Sequence, residues 1–114
     1  MNIEHIRAEL HAAAATATQA YLDKHYEGDD WGACGFAWVL IEPAHKGNTK
    51  LGKAERKVYE SLGAKKDWTG KTYQIWNPSN MGCQNVDAKH DGAAAAAKVL
   101  QGVGIEASAQ SSLD

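Results

Sequence analysis

Apolar residues recur at steps of three and four along the first segment of the chain. Ile3, Ile6, Leu10, Ala13, Ala14, Ala17 and Tyr21 fall on one side, with Glu4, Arg7, Glu9 and Gln19 between them. That period predicts an amphipathic helix over residues 2–25, with Asn2 as its cap and Gly28-Asp29-Asp30 at its end. The Ala12–Ala15 run supplies helix propensity with little side-chain volume, so this helix is expected to lie close against whatever it covers.

The pattern then changes to a period of two. Cys34, Phe36, Trp38 and Leu40 alternate with the small residues Ala33, Gly35 and Ala37, followed by Val39 and Ile41. Neither set is polar, which predicts a central strand over residues 33–41, closed by Pro43. The small-residue side invites close approach by an alanine-rich helix or by a ligand, the helix being the simpler expectation. A second helix is expected over 50–62, capped by Asn48 or Thr49 and ended by Gly63, with Leu51, Ala54, Val58 and Leu62 as its buried stripe. Ala64 to Gly70 reads as a charged loop. Strands follow at 71–76 and 83–86, joined by the turn Asn77-Pro78-Ser79-Asn80. Asp87 then caps a helix over 88–101, whose Ala93–Ala97 block again signals tight packing. Gly102 and Gly104 end that helix, and a last strand covers 105–109 before a polar tail.

After the first helix the order is strand, helix, strand, strand, helix, strand. This predicts an α+β fold, a ferredoxin-like βαββαβ two-layer sandwich with an additional N-terminal helix, its strands in the spatial order 4-1-3-2. Both crossover helices lie on one face in that arrangement, and the N-terminal helix or a second subunit covers the other. A chain of 114 residues supports one core, hence a single domain over residues 1–114.

Composition narrows the setting. With 44% hydrophobic and 23% charged residues, the chain has what a packed core requires. No apolar run approaches the roughly eighteen residues of a membrane span, and the N-terminus lacks a signal-peptide pattern, so a cytoplasmic protein without membrane partners is expected. The two cysteines, Cys34 and Cys83, stand apart from any C-x-x-C pair and read as small buried side chains. The formal net charge of -2 hides a segregation. Residues 46–72 hold eight Lys or Arg against three acids, a net +5, which leaves -7 for the remainder. A basic stretch of this kind attracts phosphates or acidic surfaces even on an acidic protein.

On this topology the candidate chemistry gathers at two ends of the sheet. One end holds Glu42, His45 and Lys46 with Trp76, Asn77 and Met81. The other holds Asp30, Trp31, Cys34, Trp68 and Lys71 with Asp87, Lys89 and His90. The second suits an anion, because a helix N-terminus offers unpaired N–H groups, Lys65, Lys66 and Lys71 lie near it, and Trp68 can stack. The ligand- or partner-binding candidates are therefore Lys65, Lys66, Trp68, Lys71, Trp76, Asn77, Asp87 and His90. The five histidines show no metal spacing, and no cofactor or metal is expected. No catalytic residue is assigned. A small hydrolase or transferase with His90 or His45 as base is a minor alternative, requiring His90 within reach of Cys34 or Asp87.

Four tryptophans, Trp31, Trp38, Trp68 and Trp76, are many for this length, and aromatic residues concentrate at interface centres. The stretches Cys34-Gly35-Phe36-Ala37-Trp38-Val39, Ile75-Trp76-Asn77-Pro78 and Gln84–Ala94, with Val86-Asp87-Ala88-Lys89 and Gly92-Ala93, resemble a group of small bacteriophage-encoded proteins with no established activity. The resemblance runs from the first strand to Leu113-Asp114. It implies a phage accessory protein in a bacterial host cytoplasm, a setting in which such proteins bind a host protein or sequester a ligand. The leading expectation is non-enzymatic binding to a host protein in host takeover or anti-defence, with a homodimer through the open sheet face. The alternative expectation is a nucleotide or nucleic-acid binder using the basic segment 46–72.

Overall fold

A computed structural model describes residues 1–114. Helix α1 (Ile3–Tyr26) starts where the Asn2 side chain accepts the His5 N–H at 3.0 Å, and it ends at Glu27, whose N–H bonds back to the Leu22 carbonyl. The elements that follow are β1 (Gly35–Ile41), α2 (Lys50–Ser61), β2 (Lys65–Lys66), β3 (Tyr73–Trp76), α3 (Val86–Gly102) and β4 (Ala107–Leu113). The four strands form one antiparallel sheet in the order β2-β3-β1-β4.

The strand expected at 83–86 does not form. That run makes a lone bridge between Cys34 and Asn85 and then turns directly into α3. Asn85, rather than Asp87, is the cap: its side-chain oxygen accepts the Ala88 N–H at 2.8 Å, while its amide donates to the Trp31 carbonyl. Asp87 lies in the first helical turn. The place beside β1 is taken by β3, with Trp38 opposite Trp76 and Ile41 opposite Tyr73. The outer place is taken by β2, two lysines inside the stretch expected to be a loop. β4 also runs through the expected polar tail, as far as Leu113. A strand covered on one face needs apolar residues only at alternate positions. Ala107 and Ala109 supply them, and Ser108, Gln110 and Ser112 turn to solvent.

The covered face of β1 carries Ala37, Val39 and Ile41. They join Tyr73, Ile75 and Ala107 from the other strands, Ala93, Ala96, Ala97 and Leu100 from α3, and Ile6, Leu10 and Ala14 from α1. Leu10, Ile41, Leu62 and Leu100 lose all solvent contact, each contributing about 1.5–3 kcal/mol. The alanine runs act as their pattern predicts, letting α1 and α3 approach closely. At the crossing, a Cβ on Gly92 would collide with Thr18 Oγ1 and sit 3.0 Å from the Ala14 carbonyl. Thr18 Oγ1 donates to the Ala88 carbonyl at 3.0 Å, which satisfies the buried hydroxyl at the crossing.

Helix placement therefore differs from expectation. α1 packs against α3 on the same side of the sheet instead of closing the opposite face. α2 reaches the core only through its C-terminal end, where Tyr59 and the following Leu62 are buried, and Leu51 of the expected stripe is 63% exposed. Cys34 is exposed as well, since it precedes β1 at the lone bridge; Cys83 is buried. No helix is long and apolar enough to cross a membrane.

Candidate functional site

Side chains alternate along a strand, so Phe36, Trp38 and Leu40 point away from the core that holds Ala37, Val39 and Ile41. Residues directly opposite in the ladders share their face. Trp76 and Gln74 of β3, Ser108, Gln110 and Ser112 of β4, and Lys65 of β2 therefore stand on the same open surface. The aromatic rings form a row with Trp76 in the middle. Its centroid lies 5.0 Å from that of Trp38, with planes 16° apart, and 5.9 Å from that of Phe36, with planes 30° apart. Trp76 is 54% exposed and Phe36 40%. Lys89 Nζ sits 5.6 Å from the Phe36 centroid while donating to the Gly35 carbonyl at 3.0 Å, which places a cation at one end of the row. The ladder continues past Ile41 into the exposed pair Glu42 and Glu106, so the acidic groups of this face stand at the Ile41 end, beyond the aromatic row.

Beside Trp76 the surface drops into a cleft of about 600 Å³, lined by Arg7, His11, Gly63, Lys65, Lys66, Gln74, Ile75, Trp76 and Asn80. Its origin is the shortness of β2. Pairing with β3 stops at Gln74, so the outer side of Ile75 and Trp76 has no neighbouring strand. Asn77 N–H bonds the Ala37 carbonyl, so the alternation of an antiparallel ladder turns the Trp76 peptide group away from β1, toward the cleft. α1 supplies the far wall. The Arg7 guanidinium lies over Gly63, whose φ of +92° and crowding would strain any side chain there. His11 Nδ1 donates to the Pro78 carbonyl at 2.7 Å, which leaves Nε2 as the free ring nitrogen. Arg7, Lys65 and Lys66 form no ion pair, and none of the nine lining residues is acidic. The cleft suits an anion, and one wall is an aromatic ring.

The residues singled out from sequence divide into two groups. Lys65, Lys66, Trp68, Lys71, Trp76 and Asn77 all belong to one hairpin and the turn after it. Asp87 and His90 lie elsewhere, at the start of α3. β3 runs antiparallel to β1, so the hairpin tip at 67–72 sits at the Ile41 end of the sheet, whereas Lys89 and His90 reach Gly35 and Ser111 at the other end. Trp68 and Lys71 are thus not gathered with Asp87 and His90. Nor are Trp76 and Asn77 gathered with His45, which is tied to α2 by its N–H to Glu55 Oε1 at 2.7 Å. Burial of the Glu55 carboxyl opposes its charge, but hydrogen bonds from the His45 backbone and ring and from Ala44 outweigh it and hold the group below the ordinary carboxylate range.

Phe36, Arg7 and His11 escaped the sequence reading as site residues, and Trp38 stood out only as one of four tryptophans. The alternation in β1 did separate large residues from small ones, but nothing in one chain says which face a helix covers. His90 Nδ1 and Ser111 Oγ are 2.9 Å apart, a pairing of base and hydroxyl. It has no carboxylate to orient the ring and lies outside the cleft, so it lacks the further parts that nucleophilic catalysis needs. His90 reaches neither Cys34 nor Asp87; the Asp87 carboxylate accepts from Tyr21 OH at 3.4 Å. Burial pushes the Cys83 thiol up from its ordinary range, away from the thiolate form. No three His, Cys, Asp or Glu side chains converge on a metal-sized position. Comparison with protein-family models, curated proteins and solved structures gives no match to this chain.

Proposed function

We propose that this protein binds single-stranded nucleic acid on the open face of its sheet, with bases on the Phe36–Trp76–Trp38 row and phosphates in the Arg7–His11–Lys65–Lys66 cleft. One observation carries this reading: Trp76 belongs at once to the aromatic row and to the wall of a cleft lined by cations and no carboxylate. Aromatic side chains on the central strands of a four-stranded sheet are a recurrent platform for unpaired bases. A single strand fits because a duplex keeps its base faces stacked on one another. The ferredoxin-like assignment belongs to the same reading. It is supported by the β4-β1-β3-β2 order, with α1 and the peripheral α2 as departures.

Magnitudes separate the two halves of the site. Stacking contributes about 1–3 kcal/mol per base, whereas an exposed charge pair 4 Å apart contributes about 1 kcal/mol in water. One base stack is thus worth at least as much as one phosphate contact, and the cations set orientation and salt dependence. Fluorescence anisotropy with a labelled oligothymidylate of twelve nucleotides at low salt tests the proposal. Binding is expected for the native chain, with a loss of tenfold or more for Trp76→Ala. Absence of binding at low salt sinks it.

A second reading rests on the same exposed rings together with Leu113, which is 70% exposed at the end of β4. An apolar face of this kind also suits a protein partner, either a host protein in a phage setting or a second copy of the chain. Binding that persists unchanged into high salt, and that oligonucleotides do not compete, favours that reading.

A further inference from the structure

The hairpin tip between β2 and β3 holds an aromatic ring outside the site described above. Trp68 is 95% exposed, more than any other large hydrophobic residue of the chain. Its loop is nevertheless firmly built. Asp67 N–H bonds the Thr72 carbonyl at 3.0 Å, Gly70 N–H bonds the Asp67 carbonyl at 3.1 Å, and the hydroxyls of Thr69 and Thr72 both donate to the Asp67 carboxylate at 2.7 Å. Gly70 takes the left-handed turn position at φ +74°. Such a frame fixes the backbone from which the ring projects, so the loop itself needs no ordering when something stacks on Trp68. Lys65, Lys66 and Lys71 flank the tip, three cations against the single Asp67, whose oxygens already accept both hydroxyls. Lys65 and Lys66 also line the cleft, so one run of positive charge leads from Trp76 to the tip.

We propose that Trp68 is a further base-stacking contact for a single strand long enough to pass from Trp76 along Lys65 and Lys66 to the hairpin tip. This rests on the nucleic-acid reading of the sheet face. It assigns the site a polynucleotide rather than a mononucleotide, because Trp76 stands at the end of β3 away from the tip that carries Trp68.

The test compares Trp68→Ala and Trp68→Phe with the native chain, using oligothymidylates of three and twelve nucleotides. Trp68 has almost no packing contacts, so both variants are expected to keep the native circular dichroism spectrum. Trp68→Ala is expected to lower affinity for the twelve-mer by about tenfold, within the range of one base stack, and to leave the three-mer within twofold. Trp68→Phe is expected to restore most of the loss. If Trp76→Ala abolishes binding while Trp68→Ala changes neither oligomer, the tip proposal fails and the sheet-face reading stands. Equal losses on both oligomers also overturn it, and if the native chain binds neither, both fall together. Vesicles of phosphatidylcholine and phosphatidylserine provide the opposing arm. Vesicle binding that needs Trp68, with twelve-mer affinity unaffected by its removal, overturns the proposal in favour of a lipid surface.

Discussion

Trp76 stands directly across from Trp38 in the β1–β3 ladder, ring centroids 5.0 Å apart and planes 16° apart, on the side of the sheet that no helix covers. A stacked cross-strand pair of this type couples by about 0.5–1.5 kcal/mol. It is thus a modest contributor to folding and a large one to the character of the surface. Single and double alanine variants at Trp38 and Trp76 are expected to unfold at temperatures about 4 °C below native per kcal/mol lost, with a positive coupling between the two sites. Oligonucleotide affinity is expected to fall much further than stability. Collapse of the fold in either single variant would mean that the pair is structural first.

The cleft leads to a second prediction, on ionic strength. Each phosphate neutralised on a single strand contributes about 0.7 to the slope of log affinity against log salt. Replacing Lys65 and Lys66 together by alanine is expected to lower the magnitude of that slope by about 1.4 and to weaken binding at low salt. Both side chains are exposed, so thermal stability is expected to stay near native. An unchanged slope places the phosphates elsewhere.

The contact between α1 and α3 leads to a third. A methyl group on Gly92 would run into Thr18 Oγ1 and approach the Ala14 carbonyl to 3.0 Å. Overpacking of this kind costs about 1–3 kcal/mol, more than the gain in helix propensity of about 1 kcal/mol from replacing glycine by alanine. Gly92→Ala is therefore expected to be destabilising in a urea titration, and adding Thr18→Ala to recover part of the loss. A stabilised single variant would show that the helices separate freely.

How much of this was legible in the sequence follows from what local patterns encode. The period of α1, the small-residue side of β1, a cap at Asn48 or Thr49, Gly63 after α2 and the Asn77–Asn80 turn are local, and each was readable; the structure assigns the cap to Thr49. The hairpin was not. Lys65 and Lys66 form a strand solely because β3 offers them an edge, and Cys83–Val86 fails to form one because Asn85 is committed to capping α3. Those two exchanges reversed the direction of residues 73–76 relative to the expected strand, and so divided the expected clusters differently between the ends of the sheet. Lys65, Lys66 and Trp76 were singled out for charge and aromaticity. Their partners Arg7 and His11 come from a helix some sixty residues away in sequence, a relationship that no local pattern carries.

Within the core, Tyr73 has a buried hydroxyl with no hydrogen-bond partner, while its ring packs against Tyr59 at 5.4 Å. An unsatisfied buried hydroxyl costs about 1–3 kcal/mol in desolvation, and phenylalanine keeps the ring without it. Tyr73→Phe is expected to be neutral or stabilising in the same urea titration. A loss above about 1 kcal/mol, the size of a typical hydrogen bond, would reveal a partner for the hydroxyl.

The hairpin tip makes the last prediction, on pH. The hydroxyls of Thr69 and then Thr72, aided by backbone N–H groups, outweigh desolvation and hold the Asp67 carboxyl down to about 2, from an ordinary value of 3.8. A carboxyl depressed in the folded loop stabilises it above its unfolded value, and the contribution is lost as pH falls through the folded one. The tip is therefore expected to be indifferent to pH from neutrality down to the unfolded value near 3.8, and to loosen between there and about 2. A carbon-13 carboxyl titration is expected to place the Asp67 midpoint at the lower end, with the protection of Gly70 N–H from hydrogen exchange, relative to its intrinsic rate, falling over the same interval. Asp67→Asn removes the charge that organises both hydroxyls and is expected to abolish that pH dependence and to loosen the Trp68 tip at neutral pH. A midpoint near 3.8 would mean that the two threonines do not hold the carboxylate in solution, and that the backbone of the tip lacks this brace.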